Sequence, residues 1–205
     1  MAIKTVIFDL GRVLIDFDHM RAAAKIAEFT KMPKDKIFNL FFDSGLTGLF
    51  EEGKVSRQDF FLKVKELLGL SCDYETFSAI WNDIFFFTDN NLAVLELAVS
   101  MKNNYKVAVL TNINILHWEY LKKAFPRINT LPNIITSFDL GFRKPHPEIY
   151  RKALKILESL PEDVFYTDDR PELVESAAKL GINSFVFGGI AQLKKDLFAA
   201  GININ

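Results

Sequence analysis

Four places along this 205-residue chain carry side chains that could do chemistry together: Asp9, the pair Thr111-Asn112, Lys144, and the pair Asp168-Asp169. The first, second and last follow apolar runs, Val6-Ile7-Phe8, Val107-Ala108-Val109-Leu110 and Val164-Phe165-Tyr166. Such runs read as strands buried on both faces, and an open parallel sheet binds its ligands beyond the carboxyl ends of its strands. Alone, Asp9 is most simply a helix or turn cap; in company it can be a metal ligand or a nucleophile that forms an acyl-phosphate. Three carboxylates brought together repel, so they call for a cation or for shared protons. Magnesium suits an all-oxygen set and keeps waters that a substrate phosphate can replace. Thr111 and Asn112, at a strand-to-helix junction, offer hydroxyl, amide and backbone N–H donors to a phosphate. Lys144 adds a point charge for phosphoryl oxygens or for the aspartates. One cation and one lysine facing an aspartate are the parts of phosphoryl transfer.

The elements that must position these groups come in two kinds. From residue 89 on, strand and helix patterns alternate: a helix over 92–101, a strand over 106–112, a helix through Trp118 and Leu121, and a short strand near 134–137. Pro147 opens a helix, 164–169 is a strand, and Pro171 opens another helix that Gly181 closes. A last strand over 182–187 and a last helix over 190–199 complete the pattern. The alternation predicts an α/β fold, a doubly wound parallel sheet of Rossmann-like type. Residues 18–88 read differently, as helices at 20–29, 35–42, 56–68 and 74–84 with a glycine-marked loop over 43–54. This block reads as a four-helix cap inserted into a core made of residues 1–17 and 89–205.

Composition bounds the function. Apolar residues are 49% and charged residues 25% of the chain, ordinary for a soluble globular protein. A net charge of -1 offers no basic field for nucleic acid. The single cysteine, Cys72, excludes an internal disulfide and a multi-cysteine metal site, and fits a reducing cytosol. Met1-Ala2-Ile3-Lys4 has no signal-peptide pattern, and no apolar run reaches the roughly 20 residues that span a bilayer. The expectation is a cytoplasmic monomer or small homo-oligomer with neither nucleic acid nor membrane as partner.

Four stretches in order, Phe8-Asp9-Leu10-Gly11-Arg12-Val13-Leu14, Leu110-Thr111-Asn112, Gly141-Phe142-Arg143-Lys144-Pro145-His146-Pro147-Glu148-Ile149-Tyr150 and Tyr166-Thr167-Asp168-Asp169-Arg170-Pro171-Glu172, carry a family resemblance. The chain resembles the haloacid-dehalogenase-like (HAD) hydrolase superfamily. More narrowly it is similar to small phosphatases with a helical cap after the first motif, a group that includes bacterial glucose-1-phosphatases. The resemblance implies that Asp9 is the nucleophile and, with the Gly11 carbonyl, Asp168 and Asp169, a ligand of Mg2+. It implies phosphate binding by Thr111 and Asn112 and charge stabilisation by Lys144. The implied activity is hydrolysis of a small phosphorylated metabolite, a sugar phosphate such as glucose 1-phosphate, with the cap selecting the leaving group.

One position departs from the superfamily pattern. Two residues after the nucleophile a second aspartate, the general acid, is usual, and here it is Gly11. A haloacid dehalogenase also lacks that acid, but it needs no metal and would suffer from the charge of Asp168-Asp169; a silent phosphate-binding domain is the other alternative. Cys72 reads as an idle thiol, and His19, His117 and His146 lack metal-ligand spacing. The phenylalanine clusters read as cap core and cap-to-core packing, Arg170 as a residue opening a helix, and Asp16 and Asp18 as linker or capping residues.

Overall fold

The computed structural model describes residues 2–42 and 45–203, with backbone alone at 40–42. Val6, Ile7 and Phe8 place β1 (Thr5–Phe8) wholly in the interior. The chain then turns sharply into β2 (Asp16–Phe17), which pairs antiparallel with β3 (Phe85–Phe86) as a two-stranded ribbon. Between these short strands lie α1 (His19–Ile26), α2 (Lys34–Phe42), α3 (Gly45–Glu51), α4 (Arg57–Leu68) and α5 (Tyr74–Asn82). Each start that the sequence marks is capped: Asp18 accepts from Met20 N, Ser56 from Asp59 N and Asp73 from Thr76 N.

After the ribbon come α6 (Asp89–Met101), β4 (Lys106–Thr111), α7 (Ile115–Ala124), β5 (Ile134–Thr136), α8 (Ser137–Leu140) and α9 (Pro147–Ile156). β6 (Val164–Asp168), α10 (Pro171–Ala178), β7 (Asn183–Val186) and α11 (Ile190–Ala199) follow. The sheet is parallel with order β5-β4-β1-β6-β7, as the alternation predicts. β1 pairs with β4 on one side and β6 on the other, with Phe8 beside both Val109 and Thr167. The winding therefore reverses at β1, and a crevice opens at the carboxyl ends of these three strands. Alternate residues bury to opposite faces. Val6 and Phe8 pack with Val94 and Ala98 of α6 and Leu193 and Leu197 of α11, whereas Ile7 packs with Ile149 and Ala153 of α9.

A third core lies in the helical block, where Phe50, Phe60, Phe61, Phe77 and Trp81 cluster with Ile26 and Val64. Two expectations need correction. Residues 45–51 form α3 instead of a loop, so the block holds five α-helices among the described residues; Asp43 and Ser44 fall outside them. The glycine signal misleads because Gly48 marks close packing: a Cβ there would come within 2.4 Å of Arg143 Nη1. Both β3 and the single-turn α8 are too short to leave a periodic pattern.

Candidate active site

Past β1 the backbone turns tightly, with Gly11 bridged to Ile15 and Arg12 at φ 59, a left-handed value uncommon for a residue with a side chain. This leaves Asp9 at the carboxyl edge of the sheet and only 7% exposed. From the loop before α9, the Lys144 ammonium reaches Asp9 Oδ1 at 2.6 Å, Asp168 Oδ2 at 2.7 Å and the Leu110 carbonyl at 2.9 Å. Its three donors are thus all engaged. Asp168 is fully buried, accepts from the Tyr166 hydroxyl and takes the Arg170 N–H at 3.0 Å. Asp169 is half-buried, with Arg12 Nε 4.0 Å from its carboxylate.

The Lys144 backbone is held by Asn112. The amide of Asn112 donates to the Lys144 carbonyl at 2.9 Å and accepts from the Lys144 N–H at 2.8 Å. Thr111 is the last residue of β4, buried and at the same edge. Asp9, Gly11, Thr111, Asn112, Lys144 and Asp169 line one cavity of about 340 Å³. Asp168 lies beneath it.

Charge is not balanced there. Burial, opposed by Lys144 and reinforced by Asp168 and Asp169, holds the Asp9 carboxyl up at about 7. Burial would lower the Lys144 ammonium, but Asp9 and Asp168 override that and hold it above its ordinary value. Asp168 is resisted by burial yet held below the usual carboxylate range by Lys144, the Tyr166 hydroxyl and the Arg170 N–H. Asp169 is raised, by burial and then by Asp168. Oxygens of Asp9, Asp168 and Asp169 lie within 4.8 Å of one another, and the Lys144 ammonium pairs with only the first two. An all-oxygen, electronegative cluster of this size fits a hard divalent cation.

The helical block roofs the cavity. Thr47, Gly48 and Glu51 of α3 line it, and Glu51 Oε2 is 2.8 Å from Arg143 Nε, the residue before Lys144. The Ser137 hydroxyl donates to the Glu51 carbonyl at 2.6 Å, fastening α3 to the sheet side. Burial raises the Glu51 carboxyl against the pull of Arg143. Phe17, Phe85, Trp81, Asn114 and the histidines His19 and His117 are part of the same lining. Burial holds His19 down to about 4, and burial and then His19 hold His117 well below its ordinary value. Residue spacing marks neither histidine as a metal ligand and gives no sign of Glu51 or Arg143, while Asn114 carries only a helix-cap signal. His146 caps α9, taking the Glu148 N–H at 3.2 Å.

The family model for haloacid dehalogenase-like hydrolases matches residues 3–181. D-ribitol-5-phosphate phosphatase from Bacteroides thetaiotaomicron is 25% identical over 189 residues, which is 89% of this chain and 91% of that protein. A crystal structure of a HAD family enzyme from the same species, the wild-type protein in complex with magnesium and inorganic phosphate, matches at 25% identity and TM-score 0.79, covering 90% of this chain and 94% of that one. The L-2-haloacid dehalogenase from Xanthobacter autotrophicus, with chloropropionic acid covalently bound, matches at 18% identity and TM-score 0.63, over 98% and 84%, a likeness of fold alone. Matched by that model over most of its length, the chain belongs to the haloacid dehalogenase-like hydrolase family.

Proposed function

We propose that this hydrolase is a magnesium-dependent phosphatase of a small phosphorylated metabolite, acting through an aspartyl-phosphate on Asp9. The observation that carries the reading is the Lys144 ammonium held between Asp9 and Asp168, with Asp169 beside them, under a cavity roofed by helices. The ribitol-phosphate phosphatase and the structure containing magnesium and phosphate support it.

Asp9, the Gly11 carbonyl and Asp169, backed by Asp168, would hold Mg2+, which supplies positive charge to the phosphoryl oxygens. Lys144 occupies Asp9 Oδ1, which leaves the other oxygen to attack phosphorus. The Asp9–phosphorus bond forms as the bond to the leaving oxygen breaks, and that oxygen takes up a proton from water. Water then cleaves the acyl-phosphate, freeing inorganic phosphate and restoring Asp9. Thr111 and the backbone N–H of Asn112 receive the phosphoryl oxygens, while the Asn112 side chain keeps Lys144 in place.

Residues 18–88 act as the cap that closes the site and excludes water. The cavity lies at the small end for ligand pockets, which suits a sugar or polyol phosphate, glucose 1-phosphate among them. Gly11 provides no acid, and the Phe17 ring takes the space: a Cβ on Gly11 would lie 2.8 Å from Phe17 Cε1. Turnover should therefore follow leaving-group quality, with aryl and anomeric phosphates faster than primary alkyl ones; a flat kcat series would mean that another group donates the proton.

The test is hydrolysis of p-nitrophenyl phosphate with magnesium and with chelator, followed by a panel of sugar and polyol phosphates. Magnesium-dependent turnover that Asp9→Asn abolishes supports the reading. No turnover by a folded protein overturns it in favour of a binding domain, and metal-free dechlorination of 2-chloropropionate overturns it in favour of a dehalogenase.

A further inference from the structure

Asn114 stands at the start of α7, three residues past Thr111, and is 1% exposed. Its Oδ1 caps the helix by accepting the His117 N–H at 3.0 Å, which fixes the orientation of the amide. The other end, Nδ2, is buried and has no hydrogen-bond partner among the described residues. A buried amide nitrogen left unpaired costs about 1–3 kcal/mol, so its presence in a cavity wall needs an explanation. Elsewhere in the interior the amides are paired: Asn91 Nδ2 donates to the Val13 carbonyl at 3.1 Å, and Asn112 Nδ2 to Lys144.

One turn along α7, His117 shares the same wall. Its Nδ1 is 3.0 Å from Asn82 Oδ1, and Asn82 Nδ2 reaches Ser78 Oγ at 3.5 Å, so Asn82 presents its oxygen to the ring. The proton therefore sits on Nδ1, and Nε2 of a neutral ring is an acceptor. Burial keeps that ring neutral. Asn114 and His117 thus bring one donor and one acceptor to this wall, beside the rings of Trp81 and Phe85. A hydroxyl on a carbon chain is the group that accepts one hydrogen bond, donates another and lays C–H bonds against aromatic rings.

We infer that Asn114 and His117 are specificity-determining residues that recognise one hydroxyl of the leaving group: Asn114 Nδ2 donates to the hydroxyl oxygen, and the hydroxyl proton goes to His117 Nε2. The assignment rests on the phosphatase reading and adds a polyhydroxylated leaving group to it.

The experiment compares p-nitrophenyl phosphate, whose leaving group has no alkyl hydroxyl, with the best sugar or polyol phosphate of the panel and its monodeoxy analogues. Asn114→Ser retains a good helix cap while removing the amide donor. The ratio of kcat/KM for the hydroxylated substrate to that for p-nitrophenyl phosphate should fall about tenfold in Asn114→Ser, the worth of one hydrogen bond near the top of the usual range. In the wild type, one deoxy analogue should be disfavoured by a similar factor, and Asn114→Ser should no longer make that distinction. An unchanged ratio, or equal treatment of every deoxy analogue by the wild type, overturns the pair while leaving the phosphatase reading intact. The wild-type deoxy series decides even if the variant does not fold. Failure of the wild type on p-nitrophenyl phosphate itself sinks the phosphatase reading, and the pair with it.

Discussion

At the scale of single residues, the two neighbouring aspartates separate into different tasks. Asp168 has no exposure and holds Lys144, the Tyr166 hydroxyl and the Arg170 N–H, so it is part of the support under the site. Asp169 has a side chain 24% exposed and borders the cavity. Asp168→Ala leaves the buried Lys144 short of a partner and should cost about 3–5 kcal/mol in urea denaturation. Asp169→Ala should cost less than about 1 kcal/mol and instead weaken magnesium binding, read by calorimetric titration. Equal destabilisation by both would refute this division of labour. Gly11 raises a second point at this scale. Restoring an aspartate there places its Cβ against the Phe17 ring, so Gly11→Asp should destabilise by about 1–3 kcal/mol and Phe17→Ala in the same chain should relieve part of that. Denaturation of the single and double variants reads the coupling.

At the scale of elements, α3 is the piece that joins cap to site, and the glycine within it and the one after it serve different ends. Gly53, just beyond the helix, has φ +67, and a Cβ would stand 2.4 Å from the backbone carbonyl of Phe138. Neither can give way cheaply, so Gly53→Ala should cost about 1–3 kcal/mol. Gly48→Ala meets only the far end of the Arg143 side chain. That guanidinium can move, so stability should fall by less than about 1 kcal/mol. Its departure breaks the contact with Glu51, however, and loosens the roof over the substrate. The expected signature is a raised KM with little change in the urea midpoint, opposite to Gly53→Ala. If Gly48→Ala leaves KM unchanged, the Arg143–Glu51 contact does not help to close the cavity. The Arg57–Glu119 pair, two hydrogen bonds between α4 and α7, ties the same block down at a second point.

At the scale of the whole molecule, stability should depend on pH through buried groups with opposite signs. His117 and His19 are held below the ordinary histidine value, so as pH falls below about 6.5 the unfolded chain takes up protons first and stability drops. Each such group contributes about 1.4 kcal/mol per pH unit until its folded form protonates, near 4 for His19. Asp9 is raised to about 7, so without metal the folded chain protonates there first and gains stability over the same range. The two effects oppose each other in metal-free wild type. Asp9→Asn removes the carboxyl and should expose the histidine slope, giving a urea midpoint that falls clearly from pH 7 to pH 5. A slope unchanged from wild type would show that Asp9 does not titrate in this range.

Much of this was legible in the chain itself, because strand ends are marked by abrupt changes of residue type. Apolar runs that stop at Asp9, Thr111 and Asp168 gave the parallel sheet, and alternation with helices placed those stops at one edge. Lys144 could be attached to the group by its place in the loop before Pro147 and by the motif that carries the family resemblance. What linear order could not express is which groups meet across long separations. The Asn112 side chain grips the Lys144 backbone, the Phe17 ring fills the space beside Gly11, and α3 hid behind glycines that serve contact with Arg143 and Phe138. The wall of His19, Trp81, Asn114 and His117 draws on three separate segments, each unremarkable by itself. Periodicity reports the face that a residue turns to its own element's interior, whereas pairing across elements depends on packing distances that only the folded chain sets.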